Sequence, residues 1–170
     1  GGVTYTRVVN DMVTVGACAT ACSPCYNCSS IFDLNGSAFK AATGCCYELT
    51  PTELFRRGSI WSSDKLDFKE SFKLSFNLDL GNISGNDADG MTLAFQKQGY
   101  SALSNSGLGY GGINNSIAVA FRTYVFDEIN IWINGNSDTN VGGTPYAISG
   151  SGSFLVTVIW DEPLQELSVD

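Results

Sequence analysis

The chain has 170 residues and a formal net charge of −8, and it contains 19 glycines, six cysteines and no histidine. That length fits one domain with a sizeable core. The negative charge argues against binding to nucleic acid or to anionic membrane surfaces, both of which require basic patches. The absence of histidine excludes Ser-His-Asp triads, histidine-ligated zinc and histidine general bases. No run of about 20 apolar residues is present, so the sequence predicts no membrane span.

Charged residues make up only 15% of the chain and aromatic residues 12%, and glycines are frequent. This composition favours an all-β extracellular domain over a helical cytosolic enzyme. The chain begins Gly-Gly, with neither a methionine nor a basic segment followed by an apolar one. The sequence is therefore not that of a precursor with its signal peptide attached: either such a segment was removed by processing, or the chain is a piece cut from a longer protein. From the composition, we expect a location outside the cell or at the cell surface.

A cysteine cluster marks the N-terminal part of the chain, after an apolar alternation in residues 1–15 that predicts an opening strand. The spacing of the first four cysteines is compatible with a zinc or iron–sulfur site. Three disulfides are favoured instead, because the cysteine count is even and the remaining sequence is typical of a secreted β protein. The sequence does not choose among the pairings of Cys18, Cys22, Cys25, Cys28, Cys45 and Cys46. We interpret residues 1–45 as a cysteine-rich segment packed on a domain formed by residues 46–170.

Regular alternation of apolar and polar side chains from Gly58 onward predicts a series of strands. One further stretch, Thr50–Arg57, carries helix-start signals and predicts one or two helical turns. Strands at regular spacing with turn signals between them indicate an antiparallel sandwich or jelly roll. A loop rich in Gly, Ser, Thr and Asn is expected before Phe154, and the almost wholly apolar strand after that loop should be central. The predicted strands are Gly58–Trp61, Ser71–Leu80, Met91–Gln96, Ser116–Val125, Glu128–Asn134, Phe154–Trp160 and Leu164–Val169.

The stretch Asn86–Tyr124 combines two of these strands with a long glycine-rich loop. The alternation predicts that each of the two strands has one buried face. The loop is longer than most connections in compact domains, and loops of that length are commonly functional. An Asp89-Gly90 turn leads into the first strand. We therefore expect the turn and the loop to form a ligand-binding rim.

Four segments in this order resemble the L-type (legume-type) lectin domain, especially its bacterial secreted branch: DADGMTLAFQ, GLGYGGINNSIAVAFRTY, DEINIWINGN and SFLVTVIWDEPLQELSVD. The upstream segments CCYELTPTELFRRGSIW and LDFKESFKLSFNLDLGN fit the same branch. The resemblance covers the chain from about Cys46 to its C-terminus. It implies an all-β, antiparallel, concanavalin-like jelly-roll sandwich of a flat and a curved sheet. It also implies a sugar site on loops at the edge of the curved sheet.

The resemblance names candidate carbohydrate-binding residues. Asp89, in an Ala-Asp-Gly turn, matches the family's aspartate that accepts hydrogen bonds from two sugar hydroxyls. The family's glycine-rich loop, Gly-Gly-x-Leu-Gly, aligns with residues 105–109, where Asn105 and Ser106 replace the leading glycines. Tyr110 and Tyr124 are aromatic side chains that could stack on sugar faces. The predicted site residues are Asp89, Ser106, Gly107 and Tyr124.

The resemblance breaks at the family's metal site. There, two carboxylates in a Val-Glu-Phe-Asp-Thr strand hold a calcium and a transition-metal ion, whereas the strand here has Ala120 and Arg122 at those positions. Glu128 replaces the family's histidine. Hard cations need about six oxygen ligands, so we expect no metal and no cofactor. An Arg122–Asp127 ion pair is a hypothesis for what replaces the metals.

Two functions are compatible with these residues. The first is an extracellular adhesion module that binds glycans or a surface polysaccharide without metals. The alternative is a structural or assembly subunit of a cell-surface filament or complex that binds no sugar. The family has closing strands beyond the position of Asp170: either the chain is a fragment, or a protein partner or neighbouring subunit supplies those strands. An enzyme is not expected, because the Glu-x-Asp-x-x-Glu strand of related glycoside hydrolases is absent.

Overall fold

A computed structural model describes residues 32–41, 47–51, 53–62, 65–82, 89–104, 106–124, 128–144 and 151–170. The predicted opening strand in residues 1–15 and all six cysteines lie outside these residues. The disulfides therefore stay a prediction. Within the described residues, the structure has no helix with the length and apolar character that a membrane span requires.

Strands dominate the described part of the chain, and a 3₁₀ turn at Gly107–Gly109 interrupts the long loop. All seven predicted strands are confirmed, with ends that shift by a few residues. In chain order the strands are β1 Phe32–Gly36, β2 Phe39–Lys40, β3 Tyr47–Glu48, β4 Gly58–Ser62, β5 Phe72–Asn82, β6 Gly90–Phe95, β7 Ile117–Arg122, β8 Glu128–Ile133, β9 Asn136–Thr144, β10 Ser151–Asp161 and β11 Glu166–Val169.

The strands form two main antiparallel sheets. One has four strands in the order β6-β7-β8-β9, and the other has three in the order β11-β10-β5. β10 lies between β5 and β11, as its apolar sequence predicted. Two further ladders join β1 to β4 and β2 to β3, so residues 32–41 are part of the β structure. The result is the all-β, antiparallel jelly-roll sandwich that the alternation indicated.

The main core lies between the two sheets. Apolar side chains from alternate positions of β5 and β10 meet those of β6 and β7, with Phe76 and Phe121 in edge-to-face contact at 6.5 Å. At one end, Phe68 packs against Phe95 and Trp160, and the Trp160 indole donates a hydrogen bond of 3.0 Å to the Phe68 carbonyl oxygen. Packing of this kind supplies most of the stability of a sandwich domain.

The prediction of a single buried face for β6 and β7 is wrong. Ala94, Ala118 and Ala120, on the face turned away from the main core, are also buried. The long loop folds back over this outer face and forms a second apolar cluster there with Tyr110 and Trp132. The alanines carry only methyl groups, so the loop can approach the sheet closely. The outer face of the four-stranded sheet is therefore half covered and half open.

Two other expectations are corrected. Residues 136–144, predicted as loop, form β9, because their backbone pairs with β8 while most of their polar side chains stay exposed. In the predicted helical stretch, the described residues form a turn at residues 53–55 and no helix. Phe55 has a φ of +61°, a left-handed conformation that a right-handed helix cannot continue through.

Candidate functional site

A cleft of about 480 Å³ opens on the outer face of the four-stranded sheet. Sites that hold small molecules commonly have volumes of about 300 to 1,000 Å³. The strand register explains which side chains reach it. Arg122 lies opposite Glu128, and Ala120 lies opposite Asn130, so both pairs share the outer face. The loop covers the neighbouring alanines and leaves the polar end of this face open.

Three of the four predicted site residues, Asp89, Gly107 and Tyr124, line this cleft. Asp89 lies immediately before β6, and its carbonyl oxygen accepts a hydrogen bond of 3.3 Å from the Thr123 amide. That bond holds the Asp89 turn against the end of β7, next to Tyr124. The Tyr124 side chain is 49% exposed, so its ring is available to a ligand.

Ser106 is adjacent to Gly107 but does not line the cleft. Its carbonyl oxygen accepts hydrogen bonds from the amides of Gly109, at 3.1 Å, and Gly111, at 3.0 Å. These bonds close the tight turn of the loop. The structure therefore places Ser106 as a residue that shapes the loop.

The 3₁₀ turn of the loop rests on the sheet through Leu108, whose carbonyl oxygen accepts a hydrogen bond of 3.4 Å from the Thr92 hydroxyl. Gly107 has a φ of +54°, and a Cβ there would lie 3.0 Å from the Ser137 Cβ. A larger residue would strain the backbone of the turn and push the Ser137 side chain aside by a few tenths of an ångström. Gly107 thus lets two walls of the cleft approach each other.

Tyr110, expected as a possible sugar-stacking residue, is fully buried. Its ring stacks on Trp132 with the ring centroids 6.2 Å apart. Its hydroxyl accepts a hydrogen bond of 2.7 Å from Ser116 Oγ and donates one of 3.4 Å to the Trp132 carbonyl oxygen. Tyr110 points from the loop into the second apolar cluster, so it anchors the loop and cannot contact a ligand.

Arg122 and Glu128 form an ion pair at the cleft wall. The two residues are direct cross-strand partners, and their side chains are 32% and 27% exposed. The sequence-based hypothesis paired Arg122 with Asp127, which lies outside the described residues, so that pair stays a hypothesis. The Glu128 carboxylate balances the guanidinium inside the wall of the cleft.

The described residues around Arg122 do not fit a two-metal site. Ala120 presents a buried methyl group, and the Arg122 guanidinium occupies the next position on the same face. Within the described ranges, no group of three or more histidine, cysteine, aspartate or glutamate side chains could hold a metal ion. A divalent cation next to the guanidinium would also meet charge repulsion.

One wall of the cleft was missed by sequence reasoning: the hairpin formed by β8 and β9, which contributes Ser137, Asp138 and Asn140. Its two-residue turn, Asn134-Gly135, has φ values of +55° and +71°. An Asn-Gly pair after an alternating strand is a strong hairpin signal and could have identified this wall.

The hairpin turn is bonded to the glycine-rich loop. The Gly112 amide donates to the Gly135 carbonyl oxygen at 2.8 Å, and the Asn134 amide donates to the Ser116 carbonyl oxygen at 2.8 Å. Asn134 Oδ1 accepts a third bond, also of 2.8 Å, from the Asn115 amide. The loop and the hairpin therefore form one connected rim around the cleft.

Comparison with known proteins shows likeness to adhesins and to a plant lectin, and no family model matches the chain. A serine-rich adhesin for platelets from Staphylococcus aureus strain MSSA476 is 28% identical over 118 residues, which is 66% of this chain and 5% of the adhesin. A second S. aureus protein of that name is 25% identical over 171 residues, covering 93% of this chain and 7% of its own length. The chain thus spans a small part of these curated relatives.

The solved structure of lectin II from Ulex europaeus superposes with a TM-score of 0.70 at 17% sequence identity. The match covers 84% of this chain and 71% of the lectin chain. At that identity the likeness shows the fold, which is a legume-lectin-like sandwich.

Proposed function

We propose that this chain is an extracellular, carbohydrate-binding adhesion module whose glycan site is the cleft beside Asp89. The observation that carries the proposal is that Asp89, Gly107 and the half-exposed Tyr124 line one cleft of a lectin-like sandwich. A carboxylate, a closely approaching backbone and an aromatic ring together suit a ligand with hydroxyl groups and an apolar ring face.

The charges around the cleft favour a neutral, hydroxyl-rich ligand. Three carboxylates line it, from Asp89, Glu128 and Asp138, and the described lining has a single guanidinium, which Glu128 already pairs. Carboxylates accept strong hydrogen bonds from sugar hydroxyls. They repel acidic sugars, because like charges placed together cost free energy.

The site works without the calcium and transition-metal pair of the L-type lectins. In its place, the Arg122–Glu128 ion pair and the bonds between loop and hairpin hold the rim in position. A chelator should therefore leave both the cleft and its affinity unchanged.

Adhesion at a cell surface is supported by the similarity to proteins named as adhesins. Glycans on another surface, or a surface polysaccharide, are the partners that this role implies. The lectin-like fold and the adhesin relatives point to a protein that is not an enzyme.

A glycan array probed with the chain, with and without EDTA, tests the proposal. We expect binding to neutral glycans, weak or no binding to sialylated and sulfated glycans, and signals that EDTA does not change. Loss of all signals in EDTA would contradict the metal-free site. Absence of binding to every glycan would overturn carbohydrate binding itself.

Assembly without sugar binding is the second candidate, and one exposed apolar side chain on the three-stranded sheet is the observation that favours it. Leu155, on the face of β10 turned away from the core, is 68% exposed. Oligomers on size-exclusion chromatography, together with a blank glycan array, would support this function.

A further inference from the structure

Asn130 is a buried polar residue in the wall of the cleft. It lies in the middle of β8, it is 4% exposed, and it contributes to the cleft lining. Its cross-strand neighbours, Ala120 and Gly143, are small. A Cβ at Gly143 would lie 2.8 Å from Asn130 Oδ1, so the glycine leaves room for the amide.

The orientation of the Asn130 amide follows from its neighbour Asn140. Asn140 Oδ1 accepts hydrogen bonds from two backbone amides, those of Ile131 at 3.3 Å and Gly142 at 3.2 Å. Backbone amides only donate, so the atom that they meet must be the oxygen of Asn140. Asn140 Nδ2 is then the donor in the 2.6 Å bond to Asn130 Oδ1. The Asn130 oxygen therefore accepts the bond from Asn140, and the Asn130 amino group takes no part in it.

The Asn130 amino group has no hydrogen-bond acceptor among the residues that the structure describes. Buried polar groups in native proteins are nearly always bonded, to protein, to water or to a ligand. Asn130 is more than nine-tenths buried and lines an open cleft, so the cleft is where a partner for its amino group would lie.

We propose that Asn130 Nδ2 donates a hydrogen bond to the bound glycan and that Asn140 is the positioning residue that holds it. This assignment rests on the proposed carbohydrate site. The ligand atom must be an acceptor, such as a hydroxyl oxygen, a ring oxygen or an acetamido carbonyl oxygen. Asn130 thus supplies the uncharged donor that complements the acceptor carboxylates of Asp89 and Asp138. A ligand that offers only donors, such as an ammonium group, leaves this amide unsatisfied.

Affinity measurements on Asn130 variants test the assignment. The probes are neutral methyl glycosides of galactose, mannose, glucose and N-acetylglucosamine, titrated by calorimetry in EDTA. Asn130→Ser shortens the side chain and should weaken binding about 5- to 10-fold, the equivalent of one lost hydrogen bond. The matched control is Asn77→Ser, because Asn77 is an exposed asparagine on the other sheet. It should bind like the wild type.

A second variant keeps the test informative if Asn130→Ser does not fold. Asn130→Asp keeps the shape and still accepts the bond from Asn140 but replaces the donor with an acceptor. It should also lose affinity, and the loss should persist in 0.5 M NaCl, where repulsion from nearby carboxylates is screened. Wild-type affinity in either folded variant would overturn the role of Asn130.

The wild-type chain offers a readout that needs no stable variant. The Asn130 side-chain amide signals in a ¹⁵N NMR spectrum should shift when the glycoside saturates the site, and unchanged signals would overturn the assignment. If the wild type binds none of the glycosides and no glycan of the array, the carbohydrate function itself fails and this assignment fails with it. If the wild type binds and the variants bind equally well, only the role of Asn130 fails.

Discussion

The Asp89 carbonyl oxygen accepts a hydrogen bond from the Thr123 amide, and the Asp89 carboxylate takes no part in that bond. The side chain is exposed, so its carboxylate is hydrated and free to exchange water for sugar hydroxyls. Asp89 therefore has a structural role and a binding role that use different atoms. Its backbone fixes the turn, and its carboxylate is left for the ligand.

Asp89→Asn should lower glycan affinity about 10-fold or more without changing stability. The substitution removes the charge and one acceptor oxygen, and hydrogen bonds to charged groups contribute about 1.5 to 3 kcal/mol. The free energy of unfolding should stay within about 0.5 kcal/mol of the wild type, because the backbone bond to Thr123 remains. Titration calorimetry and urea unfolding measure the two effects.

The control for Asp89→Asn is Asp33→Asn, since Asp33 is an exposed aspartate on β1 that does not line the cleft. Equal affinity in wild type and Asp89→Asn would remove Asp89 from the site. A large loss of stability in Asp89→Asn would show that its carboxylate serves the fold.

The sequence predicts the position of a single site residue where that residue is part of a recognisable short motif. Asp89 and Gly107 match turn motifs of the L-type lectins, and both line the cleft. The position of Tyr110 was not predictable, because a loop sequence does not say which side chains turn toward the sheet. Asn130 gave no signal, because its role depends on Asn140 across the β8–β9 ladder.

At the scale of elements, the β8–β9 hairpin and the glycine-rich loop act as one unit. Gly135 lies where the two meet, and a Cβ there would lie 2.5 Å from the Ile113 amide nitrogen. Backbone atoms cannot move aside as a flexible side chain can. The hairpin turn therefore depends on glycine for its φ of +71° and also for space.

Gly135→Ala should destabilise the chain by about 2 to 4 kcal/mol and weaken glycan binding. About 1 kcal/mol comes from the left-handed backbone, and the remainder comes from the clash with the loop. Binding should weaken because the displaced hairpin carries Asp138 and Asn140. Thermal unfolding and titration of the same preparations give both values.

Gly112→Ala is the matched control. Gly112 has a φ of +79°, and a Cβ there would meet no heavy atom within 4 Å. It should cost only the backbone strain of about 1 kcal/mol. If both variants lost the same stability, the close contact between hairpin and loop would not contribute as described.

The sequence also explains why β9 was missed as an element. Residues 136–144 lack apolar alternation, the feature by which the other strands were recognised. β9 is held by backbone pairing to β8 and by the Asn-Gly turn before it. Only the turn is visible in a single sequence, and it predicts a hairpin without giving the length of the second strand.

At the scale of the whole molecule, the apolar alternation was sufficient to predict a sandwich. It specifies a core between β5 and β10 on one side and β6 and β7 on the other, and the structure shows that core. It could not show that a loop covers the opposite face of β6 and β7, because alanine at those positions is compatible with exposure or burial. The cleft exists because that cover is incomplete.

The most direct test of metal-free glycan binding in the cleft is a ¹⁵N–¹H NMR titration of the EDTA-treated chain with the strongest neutral glycan from the array. We predict that shifts cluster at Asp89, Gly107, Tyr124 and Asn140, while Ser75 and Leu155 on the other sheet stay unchanged. Shifts confined to the other sheet, or shifts that appear only after calcium is added, would contradict the proposed site.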